Sequence, residues 1–165
     1  MFIERWTSMA ASWGVPRSMA EVHALLFVEG RPLGAEDVIS RLGISRGNAS
    51  MTLRTLVEWG IVRKEVVPGS RRELFVAEQD VLSLFATVMR VRKEREVDPL
   101  CALVAECRAA CGVAGAGQED GLAEFRRKLD DIEMFVRASD RLMASLLAEG
   151  GDGLREFLRH SEARP

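Results

Sequence analysis

Apolar residues recur at steps of three and four along most of this chain and give way to alternation only between about residues 61 and 77. The pattern predicts a mainly α protein with one small β-hairpin. Phe2, Trp6, Met9 and Trp13 form the first stripe, on a helix over about Phe2 to Ser12 that Gly14 ends. Pro16 suits the first turn of a second helix running to about Val28, with Met19, Val22, Leu25, Leu26 and Phe27 on or near its inner face. GRPLG, Gly30 to Gly34, reads as a turn. A short helix over Ala35 to Leu42 opens with Glu36 and Asp37, which suit the positive end of its dipole, and Gly43 supplies a left-handed C-cap.

A fourth helix follows Ser45, a good N-cap, and ends at Gly60. Its apolar positions Ala49, Leu53, Leu56 and Val57 make a single buried face. Ile61 to Val67 and Glu73 to Ala77 are strands joined by PGSRR. Asp80 caps the next helix, and Asp98-Pro99 is expected to break it and start another through Cys107. After a glycine-rich connector, Gly112 to Gly121, comes the longest element, about Glu119 to Glu149. Its residues Leu122, Phe125, Leu129, Ile132, Val136, Ser139, Met143 and Leu146 alternate steps of three and four, a coiled-coil-like seam. A short helix, Leu154 to His160, follows Gly150 and Gly151.

A short helix, a glycine turn, a longer helix and a hairpin make a winged helix-turn-helix. In LGISRGNASMTLRTLVEWGIV, Leu42 to Val62, Gly43 allows the sharp turn, Ile44 plugs the gap between the helices and Ser45 caps the second one. Ala49 is small where the helices cross. With Ala49 and Leu53 inward, Gly47, Asn48, Met51, Arg54 and Thr55 point outward, with Ser50 at the flank. Asn can read adenine and Arg guanine by bidentate pairs, while Ser and Thr reach phosphate or base. Gly47 would let the backbone approach DNA closely, and Arg46 in the first turn suits a phosphate. The expected DNA-binding residues are thus Ser45, Arg46, Gly47, Asn48, Ser50, Met51, Arg54 and Thr55, with Arg71 and Arg72 at the tip of the wing.

Charge changes the picture only when it is divided. Over 165 residues the net charge is −2, which taken whole argues against a polyanionic partner. From Arg41 to Arg72, however, seven basic residues meet two acidic ones, so this window carries +5 and the remainder −7. At 47% hydrophobic and 29% charged the composition is that of a soluble globular protein. No apolar run approaches the roughly 20 residues of a membrane span, and MFIERWTSM, with its Glu and Arg, does not read as a secretory signal. A cytoplasmic protein without a membrane role is expected, and an odd number of cysteines agrees.

GVPRSMAEVHALLF, LGISRGNASMTLRTLVEWGIVRK and VPGSRRELFVAEQD resemble the GbsR-like branch of MarR-type transcriptional regulators. The resemblance covers Trp13 to about Pro99 and is most specific in SRGNASM and the WG and VPG.RR that follow it. It implies a dimeric, cytoplasmic winged-helix transcription factor, with its reading helix at Arg46 to Trp59 and its wing at Pro68 to Arg72. Some members of that branch respond to choline-type osmolytes.

The residues themselves divide the chain into an N-terminal dimerisation helix (1–15), a winged helix-turn-helix (16–79) and a helical region for dimerisation and effector sensing (80–165). Phe2, Trp6, Met9 and Trp13, together with Leu122, Phe125, Leu129, Ile132, Val136, Met143 and Leu146, are the expected dimer contacts. The competing reading folds the long helix back on the helix from Asp80 within one chain. The expected function is a homodimeric regulator, a repressor of transcription, on a pseudo-palindromic duplex site, with an effector at the dimer junction. An ammonium effector would need an aromatic cage, for which Trp6 and Trp13 are the candidates, though an apolar stripe favours interface packing for them and the chain has no Tyr. No cofactor, metal or catalytic arrangement is expected, since His23 and His160 are the only histidines. Two alternatives stay open: a winged helix that binds only proteins, and a thiol- or metal-responsive regulator using Cys101, Cys107 and Cys111.

Overall fold

The computed structural model describes residues 1–66, 72–113, 119–147 and 152–162. The chain divides into two compact units, Met1–Thr87 and Val88–Pro165. It is mainly helical with a three-stranded antiparallel sheet.

The first unit contains α1 (Phe2–Ser12), α2 (Arg17–Glu29), β1 (Leu33–Gly34), α3 (Ala35–Leu42), α4 (Arg46–Glu58), β2 (Val62–Val66) and β3 (Glu73–Ala77). Helix α2 is apolar nearly all round and becomes the central element. Met19, Ala20, Val22, Ala24, Leu25 and Leu26 are all buried, and α1, α3, α4 and β3 pack against it. The sheet order is β1-β3-β2, so β3 sits in the middle, with Phe75, Val76 and Ala77 buried. Strand β1 corrects the reading of GRPLG as a plain turn. Leu33 pairs with Phe75 and is buried, but two residues are too few to show a period.

Helix α1 also turns differently from its apolar stripe. Thr7 and Ala10 are its buried residues, because small side chains let it approach α2 closely. The large rings flank this line. Trp6 stacks on His23 and Phe27 with centroids 5.8 and 6.0 Å apart, and Phe2 stacks on Trp6 and Phe27 at 5.6 and 6.4 Å. Phe2, Met9 and Trp13 stay exposed.

Helix α5 (Val81–Arg92) runs without interruption through a π-helical turn, Lys93–Val97, into α6 (Asp98–Val113). The expected break at Asp98-Pro99 does not occur. An α-helix cannot accept an interior proline without a lost hydrogen bond and a ring clash. Here the widened turn absorbs it, with the Asp98 N–H donating to the Lys93 carbonyl. In the second unit α7 (Glu119–Leu147) folds back antiparallel to α6, and α8 (Asp152–Glu162) packs on α7. Arg108 pairs with Asp130 at 3.0 Å and with Glu133, and Lys93 bridges Asp98 and Asp140 at 2.7 and 2.9 Å. These two carboxylates, Asp98 first, hold the Lys93 ammonium well above its ordinary range.

His23 is the one titratable group in the α1–α2 packing whose burial has a large electrostatic consequence. Desolvation lowers its pKa from 6.5 to about 4, and its Nε2 has no hydrogen-bond partner among the described residues. Between these pH values the unfolded chain binds a proton that the folded chain refuses. The stability this provides is complete above pH 6.5 and is lost as pH falls through about 4, at most about 3 kcal/mol. Urea midpoints measured against pH should therefore fall across this window more steeply for the native chain than for His23→Phe, which keeps the stack and removes the proton site. Parallel curves for the two would contradict the assignment.

Candidate nucleic-acid interface

The helix-turn-helix is built by three local devices. Asp37 Oδ2 accepts from the Gly34 N–H at 3.0 Å and closes the start of α3. Gly43 ends α3 at φ 64°, a conformation that side-chain-bearing residues rarely adopt, and its N–H donates to the Ile39 carbonyl at 2.9 Å. Ser45 Oγ then accepts from the Asn48 N–H at 3.2 Å and starts α4. Glu29 on α2 pairs with Arg41 and ties α3 to the central helix. Helix α4 lays Ala49, Thr52, Leu53 and Leu56 into the core, all buried. At its end the Ile61 N–H donates to the Leu56 carbonyl at 3.2 Å, and Gly60 at φ 77° turns the chain into β2.

The opposite face of α4 is open. Arg46, Gly47, Ser50, Met51 and Arg54 are exposed, Met51 at 67%, and Ser45 is exposed beside them. A Cβ added at Gly47 would meet nothing within 4 Å among the described residues. Asn48 and Thr55 depart from the outward placement expected for them, since both are half-buried and bonded within the helix. Asn48 Oδ1 accepts from Thr52 Oγ1 at 3.1 Å, and Thr55 Oγ1 donates to the Met51 carbonyl at 3.1 Å. Arg72 stands exposed at the start of the returning chain, whereas Arg71 and the rest of the wing tip lie outside the described residues.

A groove of about 690 Å³ separates α4 from the hairpin. Ser50, Leu53, Arg54, Val57 and Glu58 form one wall, Lys64 and Arg72–Phe75 the other, and Gly34–Asp37 one end. Lys64, Glu36 and Glu73 were not singled out as interface residues by the sequence. Lys64 carried a signal as one of the basic residues on β2, but the two carboxylates enter only through the pairing of β2 with β3 and the position of α3. Two ion pairs border the groove, Arg46 Nη2 with Glu36 Oε1 at 2.7 Å and Lys64 Nζ with Glu73 Oε1 at 2.5 Å.

The expected dimer residues divide between packing and exposure. On α7, Leu129 and Val136 are buried and Met143 is half-buried, whereas Phe125 and Ile132 are 46% and 42% exposed. The side chains of Leu122 and Leu146 lie outside those described. Trp6, the first candidate for an ammonium cage, is stacked within its own chain on Phe2, His23 and Phe27. Cys101 and Cys107 are half-buried and Cys111 is buried, and no group of three metal-ligating side chains gathers among the described residues. Among those residues no helix is long and apolar enough to cross a membrane.

Residues 13–73 match the model of the MarR family. The chain is similar to YvaV of Bacillus subtilis (strain 168), 25% identical over 87 residues that cover 53% of this chain and 49% of the relative. It is also similar to the HTH-type transcriptional repressor OpcR of the same strain, 22% identical over 86 residues that cover 52% of this chain and 46% of the relative. The match thus spans about half the length of each relative. Among solved structures, the crystal structure of a transcriptional regulator superposes with a TM-score of 0.68 at 22% identity, covering 88% of this chain and 92% of that one. The shared fold is that of a winged helix with a helical region.

The capping devices have measurable worth. Ser45→Ala should lower stability by ~1 kcal/mol through loss of the α4 cap. Gly43→Ala should cost ~1–2 kcal/mol from backbone strain alone, because among the described residues nothing lies within 4 Å of the added methyl. Denaturant unfolding of both variants checks the values. A neutral Gly43→Ala would contradict the left-handed turn.

Proposed function

We propose that this chain, whose residues 13–73 carry the MarR-family segment, is a sequence-specific regulator of transcription that binds duplex DNA as a homodimer. The observation that carries the reading is the exposed face of α4, Arg46, Gly47, Ser50, Met51 and Arg54, set beside a basic hairpin across an open groove. Helix α4 enters the major groove, with Arg54 on a base edge and Gly47 allowing the backbone close to the duplex. Ser45 and Arg46 take phosphates, and Met51 and Ser50 meet the groove wall. Asn48 is half-buried and its Oδ1 already accepts from Thr52, so its contribution is the smaller. Thr55 lies at the far end of the contact. Arg71 and Arg72 reach the neighbouring backbone or minor groove.

The finer assignments extend this reading. The SRGNASM, WG and VPG.RR spacings support the GbsR-like branch, and a repressor role is supported by the name of OpcR. Phe125, Ile132 and the still more exposed Phe135, together with Phe2, Met9 and Trp13 on α1, are the apolar surfaces that a second copy covers. The dimer sets two reading helices one DNA turn apart, ~34 Å, on a pseudo-palindromic site. An effector at the dimer junction changes that spacing by favouring one of two arrangements. The chain acts in the cytoplasm, divided as 1–15, 16–79 and 80–165 into dimerisation, reading and dimerisation-with-sensing parts.

Selection of duplexes from a randomised library, followed by gel shift, tests the reading. Arg54→Ala should weaken the selected site by ~1–3 kcal/mol and relax its sequence. Gly47→Ala should stabilise the fold by ~0.5–1 kcal/mol while weakening DNA binding, a separation that a purely structural glycine would not give. Retention of full affinity and specificity by Arg54→Ala would contradict the assigned face. Sedimentation of the native chain as a monomer at micromolar concentration would remove the dimer.

A further inference from the structure

The positive window between Arg41 and Arg72 has a carboxylate just beyond each edge, and the structure returns both to it. Glu36 lies on α3 before the window and binds Arg46 at 2.7 Å; Glu73 opens β3 after the window and binds Lys64 at 2.5 Å. Both line the groove between α4 and the hairpin, together with Arg54. Counting them lowers the charge of the window from +5 to +3, and Glu29, which pairs with Arg41 outside the groove lining, lowers it to +2. Arg54, in the middle of the reading face, has no ion-pair partner among the described residues. The two cations at the borders are therefore held, while the one placed for a base edge is not.

Glu36 is not needed to start its own helix. Asp37 already closes the α3 N-terminus through the Gly34 N–H. Nor does either pair act as a structural rivet. Arg46 and Glu36 are 81% and 64% exposed, and such surface pairs contribute little to stability and open readily.

We propose that Glu36 and Glu73 are exchangeable counter-charges, carboxylates that occupy the phosphate-directed cations of the free protein and must be displaced when DNA binds. This inference rests on the DNA-binding reading above. A phosphate that takes Arg46 or Lys64 leaves a carboxylate close to the polyanion, which recruits a cation from solution and reduces the net counterion release by about one for each pair. The cost falls on every duplex alike and leaves the base contacts of α4 untouched. Random duplex, the competitor present in great excess, is bound mainly through phosphates. The two carboxylates keep the protein from being held there.

The test is fluorescence anisotropy of the full chain on a random-sequence duplex, from about 50 to about 200 mM salt. Glu36→Gln and Glu73→Gln should each steepen the slope of log K against log salt by about 0.9, which corresponds to roughly eightfold tighter binding at 0.1 M salt. Glu124→Gln on α7 changes the net charge equally and should leave the slope as it is. Unchanged or weaker binding by the first two variants overturns the proposal, as does an equal gain in Glu124→Gln. If the native chain binds no duplex even at about 50 mM salt, the DNA-binding reading itself fails and this proposal with it.

Discussion

Helix α4 can bury only one narrow stripe, and the identity of that stripe decides what the rest of the helix can do. Ala49, Thr52, Leu53 and Leu56 fill it, at exposures of 0 to 4%. With 3.6 residues per turn, fixing those four positions fixes the outward direction of Arg46, Gly47, Ser50 and Arg54. Ala49 has no bulk to spare at the crossing, so a larger side chain there would rotate or lift the helix and redirect every exposed residue with it. The central helix α2 supplies the surface against which the stripe is held, and its burial on nearly all sides explains why so short a unit has a defined core.

Much of this was legible in the sequence because the motif consists of local signals that agree. A glycine C-cap at 43, a serine N-cap at 45, a small residue at 49 and a spaced apolar face identify the two helices without long-range information. Elements that depend on distant partners were less legible. Leu33–Gly34 is a strand only because Phe75 and Leu74 lie opposite it. Asn48 sits on the outward half of a helical wheel, yet Thr52 one turn later claims its carbonyl oxygen. On α1 the largest residues suggested the buried face, whereas close helix packing selected Thr7 and Ala10. Pro99 suggested a break, but a π-helical turn resolves the same steric conflict at a local cost.

The second unit shows how one periodicity can serve two surfaces. Leu129 and Val136, seven apart, are buried and Met143 is half-buried, on a helix that packs against α6, whereas the fold-back reading placed it on the helix from Asp80. Phe125 and Ile132, also seven apart, remain exposed on the same helix. A sequence seam with steps of three and four cannot distinguish one partner contacted by both rows from two partners contacted by one row each. The charged pairs from Arg108 on α6 to Asp130 and from Lys93 in the π-helical turn to Asp140 follow the antiparallel register. Charge balance works similarly in the first unit: a linear window gave +5, whereas pairing across elements brings Glu36 and Glu73 among the same cations.

If the chain reads DNA as proposed, the exposed face of α4, and not another surface, meets the duplex. Amide NMR of the full chain titrated with a selected duplex tests this most directly. The largest shifts should gather at Arg46, Gly47, Ser50, Met51 and Arg54, with a second group along the hairpin from Arg63 to Arg72. Shifts centred instead on α6 and α7, with α4 unmoved, would contradict it.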